Sequence, residues 1–464
     1  NEAVRLFMIT RHYWQAVELF QQWRQEAQAA GEAGELTAEQ GKEADDIGRK
    51  VTESLLWAII ETGDFERAGQ EVIRYYRLDP PTDPSVALHL LQSLNVRLRY
   101  AESLEILQEL LTEKPDEMAF HLTRAITRIE SGRNEEAIEG VQQWAAAQPE
   151  SKERKRLLIV TLRRAGEYEA AAAEIGKSME AEPERESYRL QLADLWLEAG
   201  NLEEAEKVIG KIRQSSSSSE GWFEAQLKLE IAREKPEAAF SLLDEQANEE
   251  NAVAVQYMKV KIYAALGQTE RAIELLQPIL EKDPQNIEMR LEYSIYLQRA
   301  GRTSEAIALL EEIQRQNPEE ADIKNNLGYL MIEEHYDLER AGRLVRESLE
   351  VDPLSAPTLD SMGWWYYKQG QFEKALEFLY QSAARMVRVD SEVLDHLGDT
   401  LYRLNREKEA AVYWQMALED VKSRILTERY LEDNKILLEK KLQQLQEGVP
   451  PDISVLFANQ PIGD

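Results

Sequence analysis

Apolar residues recur along almost the whole chain at the three-to-four-residue spacing of amphipathic helices, and the predicted helices come in pairs. In "APTLDSMGWWYYKQ" followed by "FEKALEFLYQSAA", Leu359, Met362, Tyr366, Phe372, Leu376 and Leu379 line the seam of a helical hairpin. The intervening glycine permits a tight turn between the two helices. The pattern returns in "ETGDFERA", "ESGRNEEA", "EAGNLEEA", "ALGQTERA" and "RAGRTSEA", each with a small residue five positions after the glycine. The anchors are Ala68, Ser103, Ala137, Ala171, Ala205, Ala238, Ala272, Ala306, Ala341, Ala375 and Ala410, spaced by 33 to 35 residues. Chance composition does not sustain such a period. A proline follows the anchor by 12 residues at Pro80, Pro115, Pro149, Pro183, Pro284, Pro318 and Pro353, where it ends one helix before the next begins. One hairpin cannot bury both of its faces, so neighbours must stack, and the prediction is an all-α solenoid.

The period is broken in three places. Ala16 in "RHYWQAVELF" marks a partial first unit, and residues 26–46, rich in Ala, Gly and Glu, read as an elongated helix end with a mobile loop. Ser215 to Ser219 replace the terminating proline, and the next unit, "IAREKPEAAF", lacks the turn glycine, so a longer loop or a hinge is expected there. Beyond Ala410 a long helix carries Leu431, Leu438, Leu442 and Leu445 as an apolar stripe, with Lys435, Lys440 and Lys441 around it, as a cap for the open end of a solenoid would. The chain thus divides into residues 1–52, a repeat array in two halves (53–214 and 215–420), a capping helix (421–447) and a tail (448–464). In that tail Ile453, Val455 and Phe457 alternate with other residues in an extended segment that must bury its apolar side chains, either on the last repeats or on a partner.

Charge narrows the function classes. With 55 Lys+Arg against 86 Asp+Glu, the net charge of −31 argues against nucleic acid, which needs a basic stripe to displace phosphate counterions. The 464 residues include no cysteine, which removes disulfides, thiolate chemistry and cysteine zinc sites together and leaves the compartment open. No apolar run approaches the roughly 18 residues of a membrane helix. Any export or lipid-attachment signal is expected to precede Asn1.

Few motifs suggest chemistry. "AAAAEIGKS", with Gly176, Lys177 and Ser178, approaches a phosphate-binding loop, but Ala171 stands where the first glycine belongs and the stretch is expected inside a helix. His12, His89, His121, His335 and His396 are scattered, with no pair at metal-ligand spacing, and read as packing or surface residues. Nothing resembles a nucleophile elbow or a dinucleotide fingerprint. The expectation is a chain with no cofactor and no enzymatic activity.

The repeat resembles the tetratricopeptide repeat family, whose 34-residue unit has small residues at its eighth and twentieth positions and proline near its thirty-second; Gly363, Tyr366 and Ala375 match, as do Gly398 and Ala410. The resemblance covers residues 1 to about 420. It implies a right-handed superhelix of about twelve hairpins that works as a protein-interaction scaffold or adaptor, with the first helix of each hairpin lining a concave groove. Carried over position by position, it places Arg156, Arg163 and Arg164 in that groove. It places Asn325 and Tyr329, then Asp360, Trp364, Tyr367 and Lys368, then Asp395, Asp399, Tyr402 and Arg403 there in the last three units. Arg156 and Arg163, at i and i+7, present forked donors suited to carboxylates of a partner, or else neutralise acidic neighbours. Trp364 is expected to anchor a partner or to fill a seam between repeats. Asn325 and Asn326 resemble the groove asparagines of chaperone-binding members, whose full set of clamp lysines is absent here. "KNNLGYLMIEEHYDLERA", "LDSMGWWYYKQG" and "LDHLGDTLYRLN" also resemble the last repeats of bacterial envelope lipoproteins, one of which scaffolds a protease. That implies as alternatives an adaptor that activates such an enzyme, or a structural subunit of a multi-subunit complex.

Overall fold

The computed structural model describes residues 22, 38–78, 81, 83–183, 185–215, 220–386, 388–422 and 429–453. Every regular element among them is an α-helix, and the chain is an α-solenoid. Two compact units are present. The first holds α1 (Ala38–Glu61), α2 (Phe65–Leu78), α3 (Ser85–Asn95), α4 (Tyr100–Glu113), α5 (Met118–Glu130), α6 (Asn134–Ala146) and α7 (Lys152–Arg164), together with residues 349–356 and 380–386. Its core runs through Leu56, Ile59, Tyr76, Leu90, Leu94 and Phe120.

The second unit continues with α8 (Tyr168–Ala181), α9 (Glu186–Glu198), α10 (Leu202–Ser215), α11 (Glu220–Ala232), α12 (Pro236–Glu245), α13 (Ala252–Ala265) and α14 (Thr269–Lys282). It adds α15 (Ile287–Arg299), α16 (Thr303–Gln316), α17 (Ala321–Glu333), most of α18 (Leu338–Val351), α19 (Ala356–Lys368) and the start of α20 (Phe372–Arg385). Its last helices are α21 (Ser391–Arg403), α22 (Glu407–Lys422) and α23 (Arg429–Gln446).

The small anchors act as expected of close helix contacts. A Cβ on Gly363 would stand 2.8 Å from the Leu379 side chain and 3.1 Å from the Ala375 carbonyl, and one on Gly328 would stand 2.7 Å from Val345 and 3.1 Å from the Ala341 carbonyl. Each pair marks a point where two backbones of one hairpin nearly touch, so neither glycine has room for a side chain. Gly363→Val is therefore expected to destabilise the second unit by about 1–3 kcal/mol through overpacking, read as a lowered denaturation midpoint. An unchanged midpoint would show that the hairpin opens without cost.

Two sequence expectations change. The anchor of the irregular unit is Ala239, fully buried, while Ala238 is half-exposed. The missing turn glycine there is replaced by Glu234, which takes the left-handed conformation (φ 56°) that Gly370 adopts (φ 75°) in the hairpin of α19 and α20. A non-glycine residue holds this conformation at a local cost of about 1 kcal/mol. Of the stretch 26–46, read as an elongated helix end with a loop, residues 38–46 are the start of the 24-residue α1. Residues 26–37, Ala16, Ser216 to Ser219, Val455 and Phe457 lie outside the described residues; Ile453 follows α23 and is half-exposed. The near phosphate-loop motif lies inside α8, where Lys177 pairs with Glu174 at 2.6 Å, so its backbone amides belong to the helix.

Candidate protein-interaction surfaces

Helix α7 begins at Ser151, whose hydroxyl accepts from the Arg154 amide at 3.3 Å. Leu157, Leu158, Thr161 and Leu162 are buried on one side. Arg154 is buried with them: its guanidinium donates to Asp116 at 2.6 Å and to the Trp144 carbonyl at 2.5 Å, and it lies 4.3 Å over the Trp144 ring. The other basic residues of this helix, Lys152, Lys155, Arg156, Arg163 and Arg164, are exposed. Lys152, Arg156 and Arg163 stand at i, i+4 and i+11, on one face that also carries the half-exposed Ile159. The charge of Arg164 acts on Glu130 of α5, so this arginine has an acidic neighbour in the preceding repeat.

At the other end of the chain the expected groove residues come together, but inside the protein. Trp364 is 1% exposed, and its ring stacks on Tyr367 (4.4 Å, 13°) and on His396 (3.7 Å, 14°). Its indole N–H donates to Glu333, and Lys368 lies 4.9 Å above the ring while pairing with Glu333 at 3.6 Å. Asp360 accepts from His396 Nδ1 at 3.0 Å, and Tyr329 donates to Glu392. Arg403 donates to the Tyr367 hydroxyl at 3.3 Å. Asp399, fully buried, accepts from Trp414 Nε1 at 3.1 Å and from Lys441 Nζ at 2.6 Å; the same ammonium reaches Asp395 at 2.6 Å.

Burial and neighbours move the ionisation of these groups. Burial disfavours a charged imidazole at His396, but the carboxylates of Asp360, Glu392 and Glu333 outweigh it and raise the pKa to about 9. Burial pushes Glu392 up to about 7 and Asp395 to about 6, the second with a further rise from Asp399 that Lys441 opposes. The cluster is thus a set of compensated charges. Charged or polar side chains are retained in such a place only when each has a partner, since an unpaired buried charge costs several kcal/mol.

The exposure expected of an interface at these positions is not found for Asn325, Asp360, Trp364, Tyr367, Lys368 and Asp399, which are buried; Tyr329, Asp395 and Arg403 are half-exposed. The reason is geometric. First helices of successive repeats pack side by side, so a large ring on one of them meets the next helix before it meets solvent. Of the two tryptophans, Trp365 also packs: its indole donates to the Leu338 carbonyl at 3.0 Å, and the ring lies against Gly342.

Tetratricopeptide repeat models match residues 99–158, 162–222, 230–292, 294–353 and 356–389, more than half of the chain. The chain belongs to the tetratricopeptide repeat family. A TPR repeat-containing protein of Pseudomonas aeruginosa is 26% identical over 159 residues, which are 34% of this chain and 27% of that protein, so the alignment spans about a quarter of the relative's length. Among solved structures, yeast Tom70 is 14% identical, with 87% of this chain and 99% of that chain covered at a TM-score of 0.35. The Cut9–Hcn1 hetero-tetramer of the APC/C is 16% identical, with 84% and 79% covered at 0.36. A TPR protein of Thermus thermophilus is 19% identical, with 40% and 100% covered at 0.34.

Within this tetratricopeptide repeat array, sequence reasoning missed the residues that complete the cluster: Glu333, Glu392, His396 and Lys441. Lys441 had a legible signal, because it stands three residues after Leu438 and four before Leu445 and so lies on the apolar stripe of α23, where it is 1% exposed. Among the described residues no group of His, Asp and Glu has the arrangement of a metal site, and no helix is long and apolar enough to cross a membrane.

Proposed function

We propose that this tetratricopeptide repeat protein is a non-enzymatic scaffold that holds an acidic segment of a partner protein along the outward face of α7. The supporting observation is the exposure of Lys152, Lys155, Arg156 and Arg163 beside Ile159 in a chain of net charge −31. Guanidinium groups along one helix face offer paired donors to carboxylates, and the aliphatic side chain between them offers apolar contact. The acidic remainder of the chain repels an acidic partner everywhere else, which fixes where it lands. The charges of the α17, α19 and α21 cluster, by comparison, are buried and compensated within the protein.

Purification of the full-length protein from its host, beside the Arg156→Glu/Arg163→Glu variant, tests this reading. The expected result is a partner rich in Asp and Glu whose recovery falls at least about tenfold with the double reversal and also with rising salt. Recovery of that partner at the same level by the folded variant sinks the proposal. A partner retained at high salt by both proteins would instead favour a structural subunit of an assembly.

A further inference from the structure

In a solenoid each repeat touches its neighbours, so contacts across hundreds of residues are not part of the repeat logic. The first unit contains such contacts. The end of α20 and the residue after it, 380–386, lie against α1 and α3. Arg385 Nη2 meets Glu61 Oε1 at 2.5 Å across 324 positions of sequence, and the Gln92 side-chain amide donates to the Met386 carbonyl. The Arg97 guanidinium sits between two rings, 4.6 Å from the centre of Tyr380 and 4.8 Å from that of Phe65.

The chemistry of this contact is ionic. The side chains of Glu61, His89 and Arg385 are 2%, 4% and 8% exposed. Glu61 Oε1 accepts from both cation sites, His89 Nε2 at 2.8 Å and Arg385 at 2.5 Å, and the His89 ring stacks on Trp57 at 3.8 Å. One carboxylate therefore has two possible cations within reach, of which one is permanently charged and belongs to the distant segment. The other carries charge only when protonated and belongs to the same hairpins as Glu61.

We propose that residues 380–386 are a releasable clasp on the N-terminal hairpins, latched by Arg385 on Glu61, and that acidification releases it because a proton on His89 takes the place of the arginine. With the clasp closed, Glu61 is neutralised by Arg385 and His89 stays neutral. Burial holds its pKa below the ordinary value, the Arg385 and Arg97 cations act in the same direction, and Glu61 opposes them. With the clasp open, Arg385 is in water, and His89 beside Glu61 has lost the cation that disfavoured its charge, so the open form binds one more proton than the closed one.

The sign follows from linkage. Closure is fully supported above the ordinary histidine pKa of about 6.5 and weakens as pH falls through it, by up to about tenfold per pH unit for one proton. Buried ion pairs suit such a role. Their net contribution to stability is small, whereas removing one partner is costly, so a single charge shifts the balance of the contact.

The absence of cysteine makes the test direct: Ser85→Cys and Met386→Cys in the full chain give two unique positions for nitroxide labels, whose separation is measured by pulsed electron paramagnetic resonance. Ser85 is exposed, and Met386 takes part through its backbone carbonyl. At pH 7.5 one short distance is expected. At pH 5.5 the ratio of short to long distances should fall by about tenfold. In His89→Gln, which keeps a donor for Glu61 but cannot gain charge, the ratio should be the same at both pH values. Arg385→Gln should lose the short distance at both, with helix content by circular dichroism retained.

An unchanged distance in the wild type between the two pH values overturns the proposal, as does an equal change in His89→Gln or a short distance that survives Arg385→Gln. If Arg385→Gln does not fold, the wild type and His89→Gln decide alone.

Discussion

Asp399→Ala is expected to destabilise the second unit by roughly 3–5 kcal/mol, the range found when one member of a buried charge pair is removed. Asp399 is fully buried and holds two donors, the Trp414 indole and the Lys441 ammonium. Without it, Trp414 Nε1 loses its acceptor, and Lys441, itself 1% exposed, loses one of its two carboxylates and keeps Asp395. The loss has a specific geography, because Lys441 lies on α23 and Asp399 on α21, and the pair fastens the capping helix to the last repeat. In a repeat array such damage stays local, so denaturation should split into two transitions, with peptides from α21 to α23 exchanging hydrogen first.

The triple variant Asp395→Asn/Asp399→Leu/Lys441→Met removes all three charges and should recover much of the loss, as replacement of a whole buried charge group by uncharged side chains does. A single unshifted transition for Asp399→Ala would show that the pair carries no structural role.

Trp364→Ala is expected to cost about 3–5 kcal/mol, the cost of truncating a large buried aromatic. The ring is enclosed between Tyr367 and His396 and gives its N–H to Glu333, so truncation leaves a cavity in the seam of α17, α19 and α21 and removes one of the donors to Glu333. Thermal unfolding followed by circular dichroism reads the effect. A variant as stable as the wild type would mean that the ring is dispensable to packing and available to a partner. The outcome also bears on any binding assay: loss of a partner from Trp364→Ala reports on folding first, whereas loss from a variant at Arg156 or Arg163 reports on an exposed face.

The period, the hairpins and the stacking were legible in the sequence, because helix amphipathicity and tight turns are local properties that every repeat restates. Gly363 and Ala375 show why: two backbones in near contact admit no larger residue, so the constraint is written at fixed spacing. The capping helix was legible for the same reason, from Leu438, Leu442 and Leu445. Of the candidate surface, the exposure of the α7 cations could be read from the sequence, since Lys152, Arg156 and Arg163 fall on the side of the helix away from the buried Leu157, Leu158, Thr161 and Leu162.

What the tertiary structure decided is which side chains meet across repeats. Whether Trp364 faces water or His396 depends on how closely α19 and α21 approach, and no spacing within either helix states that distance. Lys441 with Asp399, and Arg385 with Glu61, are pairs 42 and 324 residues apart. A period reports what recurs in every unit, whereas these contacts occur once each, and only the folded chain brings their partners together.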